Sequence, residues 1–216
     1  MSTKYIKNKR IFVCLGAFLI LAGLFIIGYK KYEAYKKNIN EQNLVKEFYE
    51  EITIESSEEV LEEKEQTTVE EQQEELIEEK ENYVAVINIP KLHLERGIYA
   101  KYSKNNSVNK TVKMLYQSDM PDEENSNFIL ASHAGSSEVA YFKNLSKLDL
   151  GDRIYIIYKG KRYTYIVDKK IEVDKDGEIE ISKINNKKIL TLITCMIGQK
   201  KQLVVIANLE SEEELC

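Results

Sequence analysis

RIYIIYKGKRYTYIV, residues 153–167, reads as two strands joined by a short glycine-centred connection. On either side of KGK, β-branched and aromatic residues alternate with others at period two, so the stretch is a β-hairpin. Working outward, similar runs occupy residues 83–89 (YVAVINI), 127–132 (NFILAS), 171–173, 189–194 (ILTLIT) and 203–209 (LVVIANL). Residues 136–148 are the piece with most helical character, and a single turn before KLDLGD would satisfy it. Six or more short strands without a βαβ rhythm, in about 130 residues, indicate a mainly β domain, a closed or nearly closed β-barrel.

Charge separates this domain from what precedes it. Residues 1–82 hold 11 Lys and Arg against 18 Asp and Glu, a balance of −7, whereas residues 83–216 hold 20 against 18, a balance of +2. A nearly neutral second half without a basic block gives no electrostatic case for nucleic acid as a partner.

The first segment contains IFVCLGAFLILAGLFIIGY, residues 11–29, nineteen residues without a charge between Arg10 and Lys30. At a helical rise of about 1.5 Å per residue it covers roughly 28 Å, the thickness of a bilayer's hydrocarbon core. A cleaved signal peptide is the competing reading, but the run exceeds the usual apolar region of one and no small-x-small site follows it before Lys30. The expected organisation is a cytoplasmic tail (1–10), a transmembrane anchor (11–29), an acidic extracellular spacer (30–82) and the β domain (83–216). Flanking lysines tie on the two sides, so the orientation rests on the short tail before the long exported part. Residues 41–82 carry seventeen Glu, three Lys, no Gly and no Pro. They are expected to be a solvated, mainly disordered or transiently helical spacer.

Three cysteines, at 14, 195 and 216, offer no framework pair, and two histidines with no CxxC disfavour zinc. Cys195 closes ILTLITC ahead of a polar, glycine-containing loop, so it is either a packed inert thiol or a reactive one at a barrel rim. A reactive thiol needs a proton partner, and His93 and His133 are the histidines available. His93 sits in the loop-like IPKLHLERG, whereas His133 closes NFILASH and enters a small-residue loop, as Cys195 does. His133 and Cys195 are therefore the candidate pair.

NFILASHAG, then YFKNLSKLDLGDRIYI, then ILTLITC and finally KQLVVIANL, taken in that order, resemble the sortase family, the cysteine transpeptidases of Gram-positive surfaces. The resemblance covers roughly residues 83–209. It implies a closed sortase-type β-barrel of about eight strands with short helices, preceded by one transmembrane helix, in a protein of the cell membrane. It further implies that Cys195 attacks the threonine carbonyl of an LPXTG-like sorting signal and that His133 handles the protons. An amine of a cell-wall precursor would then receive the surface protein. No cofactor is implied. A polymerising class that often carries a C-terminal span is a poorer match.

Two positions depart from the family pattern. Ser132 stands where a glycine usually precedes the histidine, and Gln202 stands where the family places an arginine at the start of the last strand. Gln202 is the candidate replacement, with Lys200, Lys201 or a backbone donor as alternatives, because an amide donates a hydrogen bond but supplies no charge. The remaining arginines of the β domain, Arg96, Arg153 and Arg162, fall on other segments. A sortase-like domain that has lost activity and serves as a membrane-tethered binding module is the competing function. Some sortases bind calcium through loop carboxylates. Here EVDKDGEIE, residues 172–180, with Asp119, Asp122, Glu123 and Glu124 as partners, is either such a site or a plain solvated turn.

Overall fold

The computed structural model describes residues 3–58, 82–175 and 187–215. Residues 59–81 of the spacer, residues 176–180 of EVDKDGEIE and Cys216 lie outside them. The chain forms a helix, α1 (Thr3–Glu58), and eight strands. These are β1 (Tyr83–Ile89), β2 (Leu94–Tyr99), β3 (Lys113–Met114), β4 (Asn127–Ala131), β5 (Arg153–Tyr158), β6 (Lys161–Asp174), β7 (Ile189–Cys195) and β8 (Lys201–Glu214). The helical character of residues 136–148 is realised as one 3₁₀ turn, Leu145–Lys147.

The hairpin of residues 153–167 is present as β5 and β6. Lys159 and Gly160 both take left-handed backbone angles, φ 46° and 66°, as a two-residue turn matched to strand twist requires. The expected strand at 171–173 is the far end of β6, which continues past a bulge between Val167 and Lys169 and stays paired with β8 as far as Asp174↔Lys201. The strands pair in the order β2-β1-β5-β6-β8-β7-β4-β3, a mainly β, nearly closed barrel. Between the two end strands, the Thr111 hydroxyl donates to the Gly97 carbonyl at 3.1 Å. Ala85, Ile87 and Ile89 from β1, Ile154 and Ile156 from β5, Leu190 and Leu192 from β7 and Val205 from β8 fill the interior.

Two strands were not legible as strands. β2 is LERGIY, whose Glu, Arg and Gly break the apolar alternation, and β3 is two residues long. The acidic end of β8 is paired as well: Ser211, Glu212, Glu213 and Glu214 stand opposite Thr164, Tyr163, Arg162 and Lys161 of β6. Opposite charges hold it there, through Lys161–Glu214, Arg162–Glu213 and Lys188–Glu212.

The chain divides into two units, Met1–Glu41 and Gln42–Cys216. In the first, Leu15, Phe18, Leu19, Leu24 and Phe25 are exposed on α1. Among the described residues, no helix is long and apolar enough to cross a membrane. In the second unit, the helical residues 42–58 differ from a solvated spacer. Val45, Phe48 and Ile52 form a stripe at i, i+3 and i+7 and are buried against Tyr83, Val86 and Ile157 on the outside of β1 and β5. This cover explains why YVAVINI is buried on both faces rather than on alternate residues. Beside the stripe, the Tyr49 hydroxyl donates to Glu95 at 3.1 Å, and Asn88 donates to the same carboxylate oxygen. Burial, then the charge of Glu95 and the bond to it, push the Tyr49 hydroxyl well above its ordinary range.

Gly97 in β2 lies beneath the Tyr83 ring, where an added Cβ would come within 2.1 Å of ring carbon. Tyr83 is buried, and its ring also meets that of Tyr99, tilted, at 4.7 Å. Gly97→Ala is expected to destabilise the β domain by about 1–3 kcal/mol, read from the shift in its urea midpoint. Phe48→Ala is expected to cost about 3 kcal/mol by leaving a cavity under α1, and an unchanged midpoint would show that the helix does not dock.

Candidate active site

Parallel pairing of β4 with β7 puts the ends of both strands on the same rim. The register runs from Asn127↔Ile189 to Ala131↔Ile193, so Ser132 and His133 after β4 reach the same rim as Thr194 and Cys195 at the end of β7. The two threonines of TLITC fasten this pair. Thr191 donates to the Asn127 amide oxygen at 2.8 Å, and the buried Thr194 hydroxyl donates to the Ser132 carbonyl at 2.8 Å. Alternation along β7 turns the buried Thr194 to one face and Cys195 to the other, where its thiol is free and exposed.

His133 opens the loop that returns to β5, and its carbonyl accepts the Phe142 amide at 3.1 Å. The imidazole Nε2 lies 3.1 Å from Asn109 Oδ1. An amide oxygen accepts only, so this bond places a proton on Nε2. Cys195 and His133 line one open cavity of about 480 Å³, walled by Ala134, Gly135, Ser136, Ser137 and Ile197. On its other side the cysteine borders a second cavity of about 230 Å³, lined by Phe142, Lys143, Ser146 and Gln199 among others.

Gln202 stands directly opposite Cys195 in the β7–β8 ladder. Because Met196 N–H donates to the Lys201 carbonyl at 2.9 Å, the 195–202 pair is of the close, non-hydrogen-bonded kind. Its Cα atoms stand roughly 4.5 Å apart, with both side chains on one face. The lysine alternatives are disposed differently. Lys201 points to the opposite face and pairs with Glu172 at 3.1 Å, and Lys200 lies in the turn before β8 begins, its carbonyl accepting the Lys175 amide. Arg96 stacks over Tyr141 at 4.9 Å, and Arg153 and Arg162 pair with Glu210 and Glu213. His93 caps the 3₁₀ turn Pro90–Leu92 in a left-handed conformation, φ 49°. Its side chain lines a different cavity from that of Cys195.

The candidate calcium carboxylates have local partners. Asp119 accepts the Asn127 amide, Asp122 pairs with Lys159 at 2.9 Å, and Glu123 accepts the Met120 amide. No group of three His, Cys, Asp or Glu that could hold a metal ion occurs among the described residues, and Asp176, Glu178 and Glu180 of the candidate loop lie outside them.

Sequence reasoning missed Asn109, which lies in the irregular segment between β2 and β3 where periodicity carries no signal. The contact with His133 joins residues 24 positions apart, brought side by side by the antiparallel pairing of β3 with β4.

A barrel with a free thiol and an imidazole at one rim describes a class of thiol-dependent enzymes and their inactive relatives. The sortase domain pattern matches residues 87–210 of this chain, which includes His133, Cys195 and Gln202. The chain belongs to the sortase family. A sortase A of Bacillus anthracis is 26% identical over 209 residues, which cover 94% of this chain and 96% of that protein. Among solved structures, sortase C1 of Streptococcus agalactiae is 26% identical with a TM-score of 0.55, over 64% of this chain and 72% of that one. A lid mutant of sortase A from Corynebacterium diphtheriae gives the same identity and TM-score, over 60% and 70%. Both A and C1 sortases are thus similar, and the likeness does not choose between them.

Asn109→Ala is expected to release the His133 ring. The Nε2 proton, sheltered by the bond in the parent, should broaden or vanish from a ¹⁵N imidazole spectrum, while stability falls by about 1 kcal/mol. An unchanged imidazole spectrum would mean that Asn109 does not hold the ring.

Proposed function

We propose that this protein is a cysteine transpeptidase that joins surface proteins to a cell-wall precursor, with Cys195 as nucleophile, His133 as proton carrier and Gln202 as a hydrogen-bond donor to the substrate. The observation that carries the reading is the convergence of an exposed thiol and an imidazole on one cavity, with an amide side chain facing the thiol across the ladder.

The steps balance within this set. The Cys195 sulfur attacks the threonine carbonyl of an LPXTG-like signal, and the oxygen gains charge that Gln202 and backbone N–H groups can stabilise. The carbon–nitrogen bond breaks as His133 protonates the departing amine, leaving a thioester on Cys195. An amine of the wall precursor then attacks that thioester, gives its proton to His133 and releases the thiolate. No metal takes part in this scheme. Beside the thiol, the outer face offers an apolar floor for the leucine and proline of such a signal. Ile129, Ile193 and Val204 are buried there, with Leu115, Ala131 and Val173 around them.

The membrane assignment belongs to the same proposal. Residues 11–29 carry no charge and lie within α1, and the side chains described from Leu15 onward expose their apolar surface. The charge-free length of residues 11–29 in the sequence, rather than the described part of α1, supports an uncleaved anchor with its N-terminus in the cytoplasm and the β domain outside. A protease-accessible tag placed after residue 40 should be cleaved on intact cells, and protection of the tag would reverse the orientation.

The catalytic test incubates the full chain in detergent with a library of sorting pentapeptides and weighs the adduct on Cys195. A thioacyl adduct is expected, absent in Cys195→Ala. His133→Ala should lower kcat/KM by a factor of about 10²–10⁴ and Gln202→Ala by about 10–100, smaller because a neutral donor is lost. Unchanged turnover in Gln202→Ala would remove that residue from the mechanism. The competing reading, a membrane-tethered binding module, draws on the missing arginine. It predicts no adduct and partner binding that survives Cys195→Ala.

A further inference from the structure

The outer face of the barrel continues beyond the floor described above. Ile171, Val204, Ile193, Ala131 and Lys113 are successive partners across β6, β8, β7, β4 and β3. They form one line on one face, two residues back along β7 and β8 from Cys195 and Gln202. Adjacent strands are about 4.8 Å apart, so the Lys113 backbone lies about 10 Å from that of Ile193, the reach of three extended residues.

At the end of this line the surface changes character. The Lys113 ammonium sits over the Tyr116 ring, 5.2 Å from its centre. Tyr116 in turn stacks with Tyr102 at 5.8 Å and an interplanar angle of 34°. The two rings are 61% and 83% exposed, although nearly every other aromatic side chain described in the barrel is packed. Residues 100–118, which contain both tyrosines, carry four lysines and no Asp or Glu. The partners these lysines make are uncharged. Lys101 donates to the Ser118 carbonyl, Lys110 to the Asn105 amide oxygen and the Lys104 carbonyl, and Lys113 meets a ring.

We propose that Tyr102, Tyr116 and Lys113 form a second binding site, for an acidic stretch of the substrate polypeptide just N-terminal to its sorting signal. The proposal rests on the transpeptidase reading and adds a selector to it. His133 follows the end of β4, two residues past Ala131 and level with Cys195 at the end of β7. An acyl part laid back along the outer face over Ile193 and Ala131 reaches Lys113, the end of this line that carries a cation beside exposed rings. Charge complementarity selects acidic residues for the lysines, and two tilted rings give rigid, amphipathic contact area for the backbone and side chains between them.

The test compares two fluorogenic peptides that share one sorting pentapeptide and differ in the four residues before it, two glutamates among them in one and serines only in the other. The full chain should show a KM about five-fold lower for the acidic peptide at equal kcat, a preference that shrinks toward one in 0.5 M salt. Lys113→Ala/Tyr116→Ala should bring the ratio of the two KM values to near one, and Lys113→Gln, which keeps the stem, should lower it part of the way. Equal KM values in the parent, with both peptides cleaved, would overturn the second site and leave the transpeptidase reading intact. Cleavage of neither would sink that reading instead, and fluorescence anisotropy of the labelled acidic peptide would then decide the site. Salt-sensitive binding lost in the double variant would uphold it. No binding, or tighter binding of an uncharged glycan fragment, would overturn it.

Discussion

The parallel pairing of β4 with β7 is the constraint on which the rest depends. Every other recorded strand pair in the barrel is antiparallel, and an antiparallel pair sends successive strand ends to opposite rims. One parallel pair is enough to carry two strand ends, from segments more than sixty residues apart, to a single place. The Thr194–Ser132 bond then fixes the spacing at that rim, because a slip of one residue would leave a buried hydroxyl and a buried carbonyl without each other. Position in this site is thus a property of backbone register before it is a property of side chains.

The barrel divides its two faces by task. Inward residues form one continuous apolar core, and the outward face is treated differently strand by strand. Over β1 and β5 it is covered by the stripe of α1, over β4, β7 and β8 it forms a small apolar floor beside the thiol, and at the C-terminal end of β8 it carries the Arg162–Glu213 pair with β6. The outer face of such a sheet is where function is added at little cost to folding, since the core does not depend on it.

What was legible in the amino-acid sequence follows from which physical signals are local. The β5–β6 hairpin was readable because its turn and its alternation sit in fifteen consecutive residues. β1 and β7 were readable as apolar runs, although burial on both faces could be explained only once their neighbours were known. β2 hid behind Glu95, Arg96 and Gly97, residues placed there by an edge position, a hydrogen bond from Tyr49 and a ring overhead. The docked stripe of Val45, Phe48 and Ile52 hid inside acidic composition, since three residues do not shift an average. Cys195, His133 and Gln202 were named from motif and order, but their disposition and the Asn109 contact are long-range facts. No spacing along the chain encodes the meeting of Asn109 and His133.

The exposure of Cys195 has a chemical consequence outside any reaction cycle. A thiol open to a polypeptide is equally open to peroxide, and the Cys195 sulfur is free and exposed. Oxidation at this rim begins with the sulfenic acid, and where no second thiol meets it the sulfur continues to the sulfinic and sulfonic forms, which are not readily reversed. The working life of the protein would be set by its encounters with oxidants as much as by the stability of its barrel.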